Sequence, residues 1–126
     1  MRSILRFAIV FALTTTSATA VVVRSDRAQQ ELSLNPRGVV VIENIQGYIE
    51  VVGGDGANVV VTADRTIHAA DANALSEAQR VVHRVLEGND KLRIIRTVAP
   101  AGPSPRWNAQ VNYTISVPRT ASVKIN

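Results

Sequence analysis

The chain has 126 residues, of which 46% are hydrophobic and 19% charged, and it contains no cysteine. This length allows one domain, and the composition excludes both a disordered tail and a membrane protein with several spans. The lack of cysteine excludes disulfides, thiolate metal sites and thiol catalysis. The formal net charge is +4, but the arginines are scattered along the chain. Because nucleic-acid binding requires clustered positive charge, we expect no nucleic-acid partner.

Residues 1–20 carry the pattern of an export signal. Arg2 and Arg6 flank the start of an apolar run at 7–13, and Ala18-Thr19-Ala20 forms a small-x-small cleavage site. The pattern predicts a signal peptide over 1–20, and therefore a protein that is periplasmic, on the cell surface or secreted. The alternative is an uncleaved anchor that also uses residues 21–23, but the apolar run is far shorter than the ~20 residues that span a bilayer.

After a predicted flexible leader at 21–30, the pattern favours β-structure. Two β-branched runs lie on either side of Asn44 to Gly47 and predict two short strands with a tight connection. If Glu43 and Glu50 face water, the residues that alternate with them along each strand face a core: Val40, Ile42, Ile49 and Val51. A third strand is expected at 58–63, with Val59, Val61 and Ala63 on one face.

The period then changes to that of a short helix at about 72–81. Asp71 or Asn73 can cap its first turn, and Leu75, Ala78 and Val82 form an apolar stripe at helical spacing. Residues 82–87 fit either a continued helix that ends at Gly88 or a strand. The flanking β-branched residues favour the strand, in a hairpin with 92–98.

The clearest periodicity lies in the last third of the chain. The proline-rich segment 99–106 predicts a loop. Apolar and polar residues then alternate from Trp107 to Val117, which predicts a long antiparallel strand with one wet face. Pro118 ends this strand, and a further strand is expected from Ala121 onward. The chain stops within that strand, which we interpret as a fragment of a longer protein or an edge that another chain covers.

Two segments carry a family resemblance. The spacing Gly38-x-Val40-x-Ile42-x-Asn44-x-x-Gly47-x-Ile49-x-Val51 and the run Val111-x-Tyr113-x-Ile115-x-Val117-Pro118 resemble the bacterial "putative adhesin" domain family, exported β-strand-repeat proteins of unknown function. The resemblance covers residues 31–126, the adhesin-like β-repeat domain. It implies the N-terminal part of a mainly β fold, the start of a β-solenoid, with a structural or binding role. It implies no catalytic residue and no cofactor.

The wet face of the 107–117 strand is the candidate binding surface. It is uncharged and rich in hydrogen-bonding groups, as carbohydrate-facing sheets can be, and the candidate residues are Trp107, Gln110, Asn112 and Thr114. Trp107 also lines up with Val111 and Ile115, so the alternative is a core residue at the sheet end. The expected partners are an envelope polymer, carbohydrate included, or a protein. Self-association through the C-terminal strand edge is a further expectation, and no small-molecule substrate is evident.

Other patterns give no firm chemistry. Residues 53–61 match a calcium-binding nonapeptide at most positions, but in a single copy, so a glycine turn is the better interpretation. His68 and His83 lack the spacing of a metal site. Glu43 and Glu50 could form a carboxylate pair for glycoside cleavage, yet they are more typical of solvent-facing charges on neighbouring strands. No nucleophile turn is present.

The expected function is therefore that of an exported, non-catalytic β-repeat protein with an adhesin-like structural or binding role in the cell envelope. The alternative is a sensor or regulatory module that reports envelope state and recruits a partner through the sheet edge at 121–126. A secreted hydrolase is a third option, which would require a convergent carboxylate pair in a cleft.

Overall fold

The computed structural model describes residues 21–100 and 106–126, so the predicted signal peptide and the middle of the proline-rich loop lie outside the described residues. Within these ranges the chain is mainly β with one short helix, as expected. The elements in order are β1 (Val22–Ser33), β2 (Val39–Glu43), β3 (Ile49–Gly54), β4 (Asn58–Ala69), α1 (Ala72–Val81), β5 (His83–Gly88), β6 (Leu92–Val98), β7 (Trp107–Pro118) and β8 (Ser122–Ile125).

The strands form two mixed four-stranded sheets. The first sheet has the order β1-β4-β7-β3 and the second has the order β5-β6-β2-β8. In the first sheet β4 pairs antiparallel with β1 and β7, while β3 lies parallel to β7. In the second sheet β5 and β6 form an antiparallel hairpin, and β2 lies parallel to both β6 and β8. The predicted hairpin of 82–87 with 92–98 is thus confirmed.

The core lies between the inner faces of the two sheets. The period-two pattern places alternate residues of β4 and β7 inward, as predicted, and these meet the inward residues of the second sheet. Burial of each large aliphatic side chain there contributes ~1.5–3 kcal/mol. The main buried cluster comprises Leu34, Val40, Ile42, Val59, Val61, Ala63, Val82, Ile95, Val111, Tyr113, Ile115 and Val117.

Helix α1 covers the end of the first sheet that the second sheet leaves free. Its bounds match the predicted 72–81, and Asp71 is the N-cap, with its side chain accepting a hydrogen bond from the backbone N–H of Ala74 at 2.8 Å. Leu75 and its helical neighbours pack against Ile67 of β4 in a second buried cluster. Within the described ranges, no helix has the length and apolar character needed to cross a membrane.

The structure differs from the prediction of a flexible leader at 21–30. Residues 22–33 form β1, which pairs with β4 along its whole length. The prediction was wrong because β1 lacks apolar alternation. Its pairing is provided by backbone hydrogen bonds and cross-strand polar contacts, including Arg27 with Asp64 and Asp26 with Arg65. The partner strand lies ~40 residues away in sequence, so the local hydrophobic pattern of β1 could not predict these contacts.

The two short strands around Gly47 exist, but they do not pair with each other. β2 belongs to the second sheet and β3 to the first, so residues 44–48 carry the chain from one sheet to the other. Glu43 and Glu50 consequently lie on the outward faces of different sheets, and they cannot act as a carboxylate pair. The third predicted strand is also longer than expected, because β4 continues to Ala69.

Candidate functional site

The structure divides the predicted binding residues between the two faces of β7. Gln110, Asn112 and Thr114 alternate with the buried Val111, Tyr113 and Ile115, and therefore lie on the outward face. Trp107 has the opposite parity and packs against both buried clusters. The four residues do not form one surface, and Trp107 is the core residue at the sheet end that the alternative interpretation described.

Trp107 also borders a small cavity beneath the sheet. The cavity has a volume of about 170 Å³, and Ile45, Thr97 and Pro100 contribute to its lining. The indole N–H of Trp107 is buried and has no hydrogen-bond partner among the described residues.

The outward face of the first sheet is mostly polar, with Val23 and Val52 as exposed apolar residues on its edge strands, and we call it the polar face. The strand register places polar side chains of β1, β4 and β7 side by side on it. Arg27 lies opposite Asp64, and Asp64 lies opposite Asn112, so three strands contribute to one row across the sheet. Its polar residues include Arg27, Tyr48, Glu50, Thr62, Asp64, Thr66, Gln110, Asn112 and Thr114.

An ion pair fixes two of these groups. The Arg27 guanidinium donates two hydrogen bonds to the Asp64 carboxylate, Nε to Oδ1 at 2.6 Å and Nη2 to Oδ2 at 3.2 Å. Hydrogen bonding to Asp64, together with its charge, raises the pKa of Arg27. The Arg27 side chain is 71% exposed, so its remaining N–H groups face solvent. The pair presents a planar array of donors and acceptors in a fixed geometry.

Tyr48, like Arg27 and Asp64, is a residue of this face that the sequence did not single out. Ile49 packs against the core, so its neighbours Tyr48 and Glu50 point outward. Tyr48 is 56% exposed and interacts electrostatically with Arg27. Its backbone N–H donates to Asn112 Oδ1 at 3.0 Å, which extends the row to Arg27–Asp64–Asn112–Tyr48. The alternation of side chains along a strand could have revealed it. Tyr48 lies two residues before Glu50, which was expected to face water, so Tyr48 should face water too.

Asn112 holds Tyr48 in position. Its Oδ1 accepts hydrogen bonds from the backbone of Tyr48 and from the side chain of Gln110, the latter at 3.4 Å. Gly47 lies beside β7 with φ of +120°, and a Cβ there would fall 2.1 Å from the carbonyl oxygen of Val111. Only glycine permits this close approach. The glycine at position 47 of the adhesin-like spacing is therefore required by the backbone conformation and by the close contact with β7.

A partly buried chain of hydrogen bonds fixes the other end of the same connection. Asn44 Nδ2 donates to the carbonyl of Val111 at 2.8 Å, and Asn44 Oδ1 accepts from Thr97 Oγ1 at 2.8 Å. Since Thr97 has one hydroxyl proton, the Tyr113 hydroxyl donates to Thr97 Oγ1, at 2.7 Å. Burial raises the pKa of Tyr113 and keeps its hydroxyl neutral, as this donor role requires. Residues 44–48 are thus held at both ends, and Tyr48 is presented on a rigid support.

The remaining candidates are dispersed over the molecule. His68 lies on the outward face of β4, whereas His83 begins β5 in the other sheet. Across residues 21–100 and 106–126, no three His, Cys, Asp or Glu side chains come together as a metal site would require. In the glycine-rich turn at 53–56, Asp55 forms an ion pair with Arg119 at 3.0 Å.

The polar face offers binding chemistry. Neighbouring strands lie ~4.8 Å apart, so the row from Arg27 to Tyr48 spans ~14 Å. An exposed tyrosine ring can cover the apolar face of a sugar, while fixed amide, hydroxyl, guanidinium and carboxylate groups bond its hydroxyls. Because these groups follow one another across four neighbouring strands, they suit an extended ligand better than a small one.

Comparisons with known proteins add little. No protein-family profile matches the chain, and no curated protein matches it. Among solved structures, the chain is similar to one described as a "putative cell adhesion protein" from Clostridium sporogenes ATCC 15579, with 12% sequence identity and a TM-score of 0.42. The match covers 81% of this chain and 47% of the other, so this chain spans about half the length of that neighbour.

Proposed function

We propose that this protein is an exported, non-catalytic β-domain protein of the cell envelope with an adhesin-like role, and that it binds an envelope polymer through the polar face. The observation that carries the proposal is the row Arg27–Asp64–Asn112–Tyr48. It combines one exposed aromatic ring with hydrogen-bonding groups whose positions are fixed by neighbouring strands. Carbohydrate is the polymer class that such a combination fits best.

Export rests on the sequence of residues 1–20, where Arg2 and Arg6, an apolar run and Ala18-Thr19-Ala20 follow in the order of a signal peptide. The adhesin-like β-repeat assignment rests on the family resemblance and on the strand arrangement. The pairs β6–β7 and β2–β3 each cross from the second sheet to the first, and the two pairs lie side by side in parallel. We propose that these are successive turns of a solenoid-like stack, with β8 beginning a third.

The test is co-sedimentation of the purified protein with isolated envelope fractions. Tyr48→Ala removes the ring, and Gln110→Glu adds a charge to the polar face. Gln30→Glu is the matched control, because Gln30 is exposed and has the inward parity of β1, away from the polar face. We expect saturable binding by the wild type and the control, and a loss of about tenfold or more in affinity for both polar-face variants.

Binding that all three variants retain would overturn the role of the polar face. Competition with soluble polysaccharide released from the same fractions separates a carbohydrate partner from a protein partner. Each variant is first compared with the wild type by its urea unfolding curve. Neither Tyr48 nor Gln110 is buried, so we expect all of them to fold.

A specific observation also favours a second candidate, a regulatory module that recruits another chain through its sheet edge. β8 ends the order of the second sheet and β3 ends that of the first, so neither outer edge has a neighbour among the described strands. Val123 and Ile125 align with the core residues Val40 and Ile42, yet they are 37% and 54% exposed. An added strand beside β3 would cover these side chains and complete the ladder.

The two functions respond to different substitutions. Val123→Lys places a charge at the edge and leaves the polar face intact. Under the edge candidate, this variant loses self-association or partner capture in sedimentation velocity, and Gln110→Glu does not. Under the main proposal, the pattern in co-sedimentation is the reverse.

A further inference from the structure

A cleft opens between the two sheets, at the margin formed by β1 and β5. Its volume is about 380 Å³, and it is lined by Asp26, Arg27, Ala28, Ala63, Arg65, His83, Arg84 and Val111. Ala28, Ala63 and Val111 supply apolar surface, while Arg84 supplies hydrogen-bond donors. Since a water molecule takes up ~30 Å³ in the liquid, the cleft can hold a group about the size of a sugar ring.

The cleft is lined by four ionised groups, and three of them, Asp26, Arg27 and Arg65, already form ion pairs within the protein. Both oxygens of Asp26 accept hydrogen bonds from Arg65, at 3.3 Å from Nε and at 2.6 Å from Nη2. The remaining nitrogen of Arg65 bonds the carbonyls of Gln79 and Val82 at the end of helix α1. Arg27 is turned to the opposite face, where it bonds Asp64. The charge of Asp26 is therefore balanced by Arg65 and does not compensate a further cation.

Arg84 is the cation that remains. It lies on the inward face of β5, opposite Thr97 of β6, and its side chain is half-buried. Among the described residues, no carboxylate lies within ion-pair distance of Arg84 and no group accepts a hydrogen bond from it; its one interaction is electrostatic, with the Tyr113 hydroxyl. A guanidinium cannot lose its proton at any physiological pH, so its charge stays in this partly desolvated position.

We propose that this cleft is a binding site for a small oxyanion, a carboxylate or phosphate group on a compact body, with Arg84 as its principal ligand. A half-buried charge without a partner is costly, and an oxyanion offsets that cost while matching the planar fork of the guanidinium. The site is separate from the polar face, because it lies on the other side of the first sheet, and the proposal does not rest on the proposed function.

The experiment is a titration of the purified protein by isothermal calorimetry at fixed ionic strength with three probes that share a sugar frame. Glucuronate carries a carboxylate, glucose 6-phosphate carries a phosphate, and glucose carries neither. We expect saturable binding of at least one anionic probe and none of glucose. A preference for glucuronate or for the phosphate identifies which oxyanion the site takes.

The variants assign the binding to this cleft. Arg84→Gln removes the charge, and we expect it to weaken binding by about tenfold or more, whereas Arg84→Lys retains the charge without the fork and weakens it less. Arg37→Gln is the matched control, because Arg37 is an exposed loop arginine that does not line the cleft; it should bind as the wild type does. If Arg84→Gln fails to fold by its unfolding curve, Arg84→Lys decides the question. Absent binding by the wild type, equal binding of glucose, or undiminished binding by a folded Arg84 variant would overturn the proposal.

Discussion

The guanidinium of Arg65 donates a hydrogen bond from Nη1 to the backbone carbonyl of Val82 across 2.8 Å, and thereby ties the end of helix α1 to the middle of β4. The last carbonyls of a helix lack intrahelical partners and carry partial negative charge, so a cation there stabilises the helix. Arg65 lies between Ala63 and Ile67, which belong to the two different buried clusters. It also bonds Asp26, so one side chain joins β1, β4 and α1.

Replacement of Arg65 by methionine should therefore be destabilising. The side chain is only 21% exposed, and its loss leaves the Val82 carbonyl and Asp26 without their donor. We expect a cost of about 1–3 kcal/mol in the free energy of unfolding, measured by urea denaturation with Trp107 fluorescence. Arg80→Met is the control, because Arg80 is exposed in the last helical turn. Equal effects of the two substitutions would show that Arg65 does not tie these elements together.

Asp71 makes the start of the helix dependent on pH. Asp71 accepts a hydrogen bond from the backbone N–H of Ala74, which lowers the pKa of its carboxyl group, and Arg106 lowers this pKa further. A lowered pKa means that the contribution to stability is present above the usual value of 3.8 and is lost as the pH falls through the folded-state pKa. We expect Asp71→Ala to lower the urea midpoint at neutral pH. Asp71→Asn keeps an acceptor oxygen, so it should lower the midpoint less and remove part of the acid sensitivity. An acid profile identical to that of the wild type would contradict this account.

Gly47 should not tolerate a side chain. Alanine at this position would have to adopt a φ of +120° and place its Cβ 2.1 Å from the Val111 carbonyl oxygen. We expect Gly47→Ala to cost about 1–3 kcal/mol from backbone strain, with more from the clash. Gly56→Ala is the control, since a Cβ at Gly56 meets nothing within 4 Å. Urea denaturation compares the two. If both variants matched the wild type, the close approach of residues 44–48 to β7 would be in doubt.

Because of the Tyr113 hydroxyl, we expect the free energy of unfolding to fall at alkaline pH. Burial raises its pKa above the usual value of 10.0, so its contribution is fully present below pH 10.0 and is lost as the pH rises through the folded-state pKa. We expect Tyr113→Phe to lower the free energy of unfolding by about 1 kcal/mol at neutral pH, because Thr97 loses its donor. When the pH is raised, this variant should lose less stability than the wild type does.

Tyr48→Phe is the matched control for this prediction. Tyr48 is 56% exposed, so removal of its hydroxyl should leave the alkaline loss unchanged. Unfolding curves for the wild type and both variants at neutral and alkaline pH separate the two tyrosines. An alkaline loss that persists in Tyr113→Phe would assign it to other groups.

Local pattern predicted the strands and the helix where one face is buried. The alternation at 107–117 correctly assigned the inward and outward residues of β7, and Asp71 with the apolar stripe that follows it correctly placed α1. Which sheet a strand joins is a different question. The five residues 44–48 fit a hairpin or a crossing between sheets equally well, and the parallel contacts of β2 with β6 and β8 decide it.

The candidate site was predicted only in part for the same reason. Parity alone placed Gln110, Asn112 and Thr114 on one outward face. The pairing of Arg27 with Asp64 depends on β1, a strand whose sequence lacks an apolar period. Tyr48 joins the face through β3, which lies beside β7 although the two strands are far apart in sequence.

The two ion pairs that link β1 to β4 also specify how the strands align. Asp26 meets Arg65 on one face of the sheet, and Arg27 meets Asp64 on the other. A shift of β1 by one residue in one direction would set Asp26 against Asp64, and a shift in the other direction would set Arg27 against Arg65. Either slip replaces two attractions with a repulsion between like charges placed side by side. A strand without an apolar stripe is thus protected against misalignment by the order of four charges.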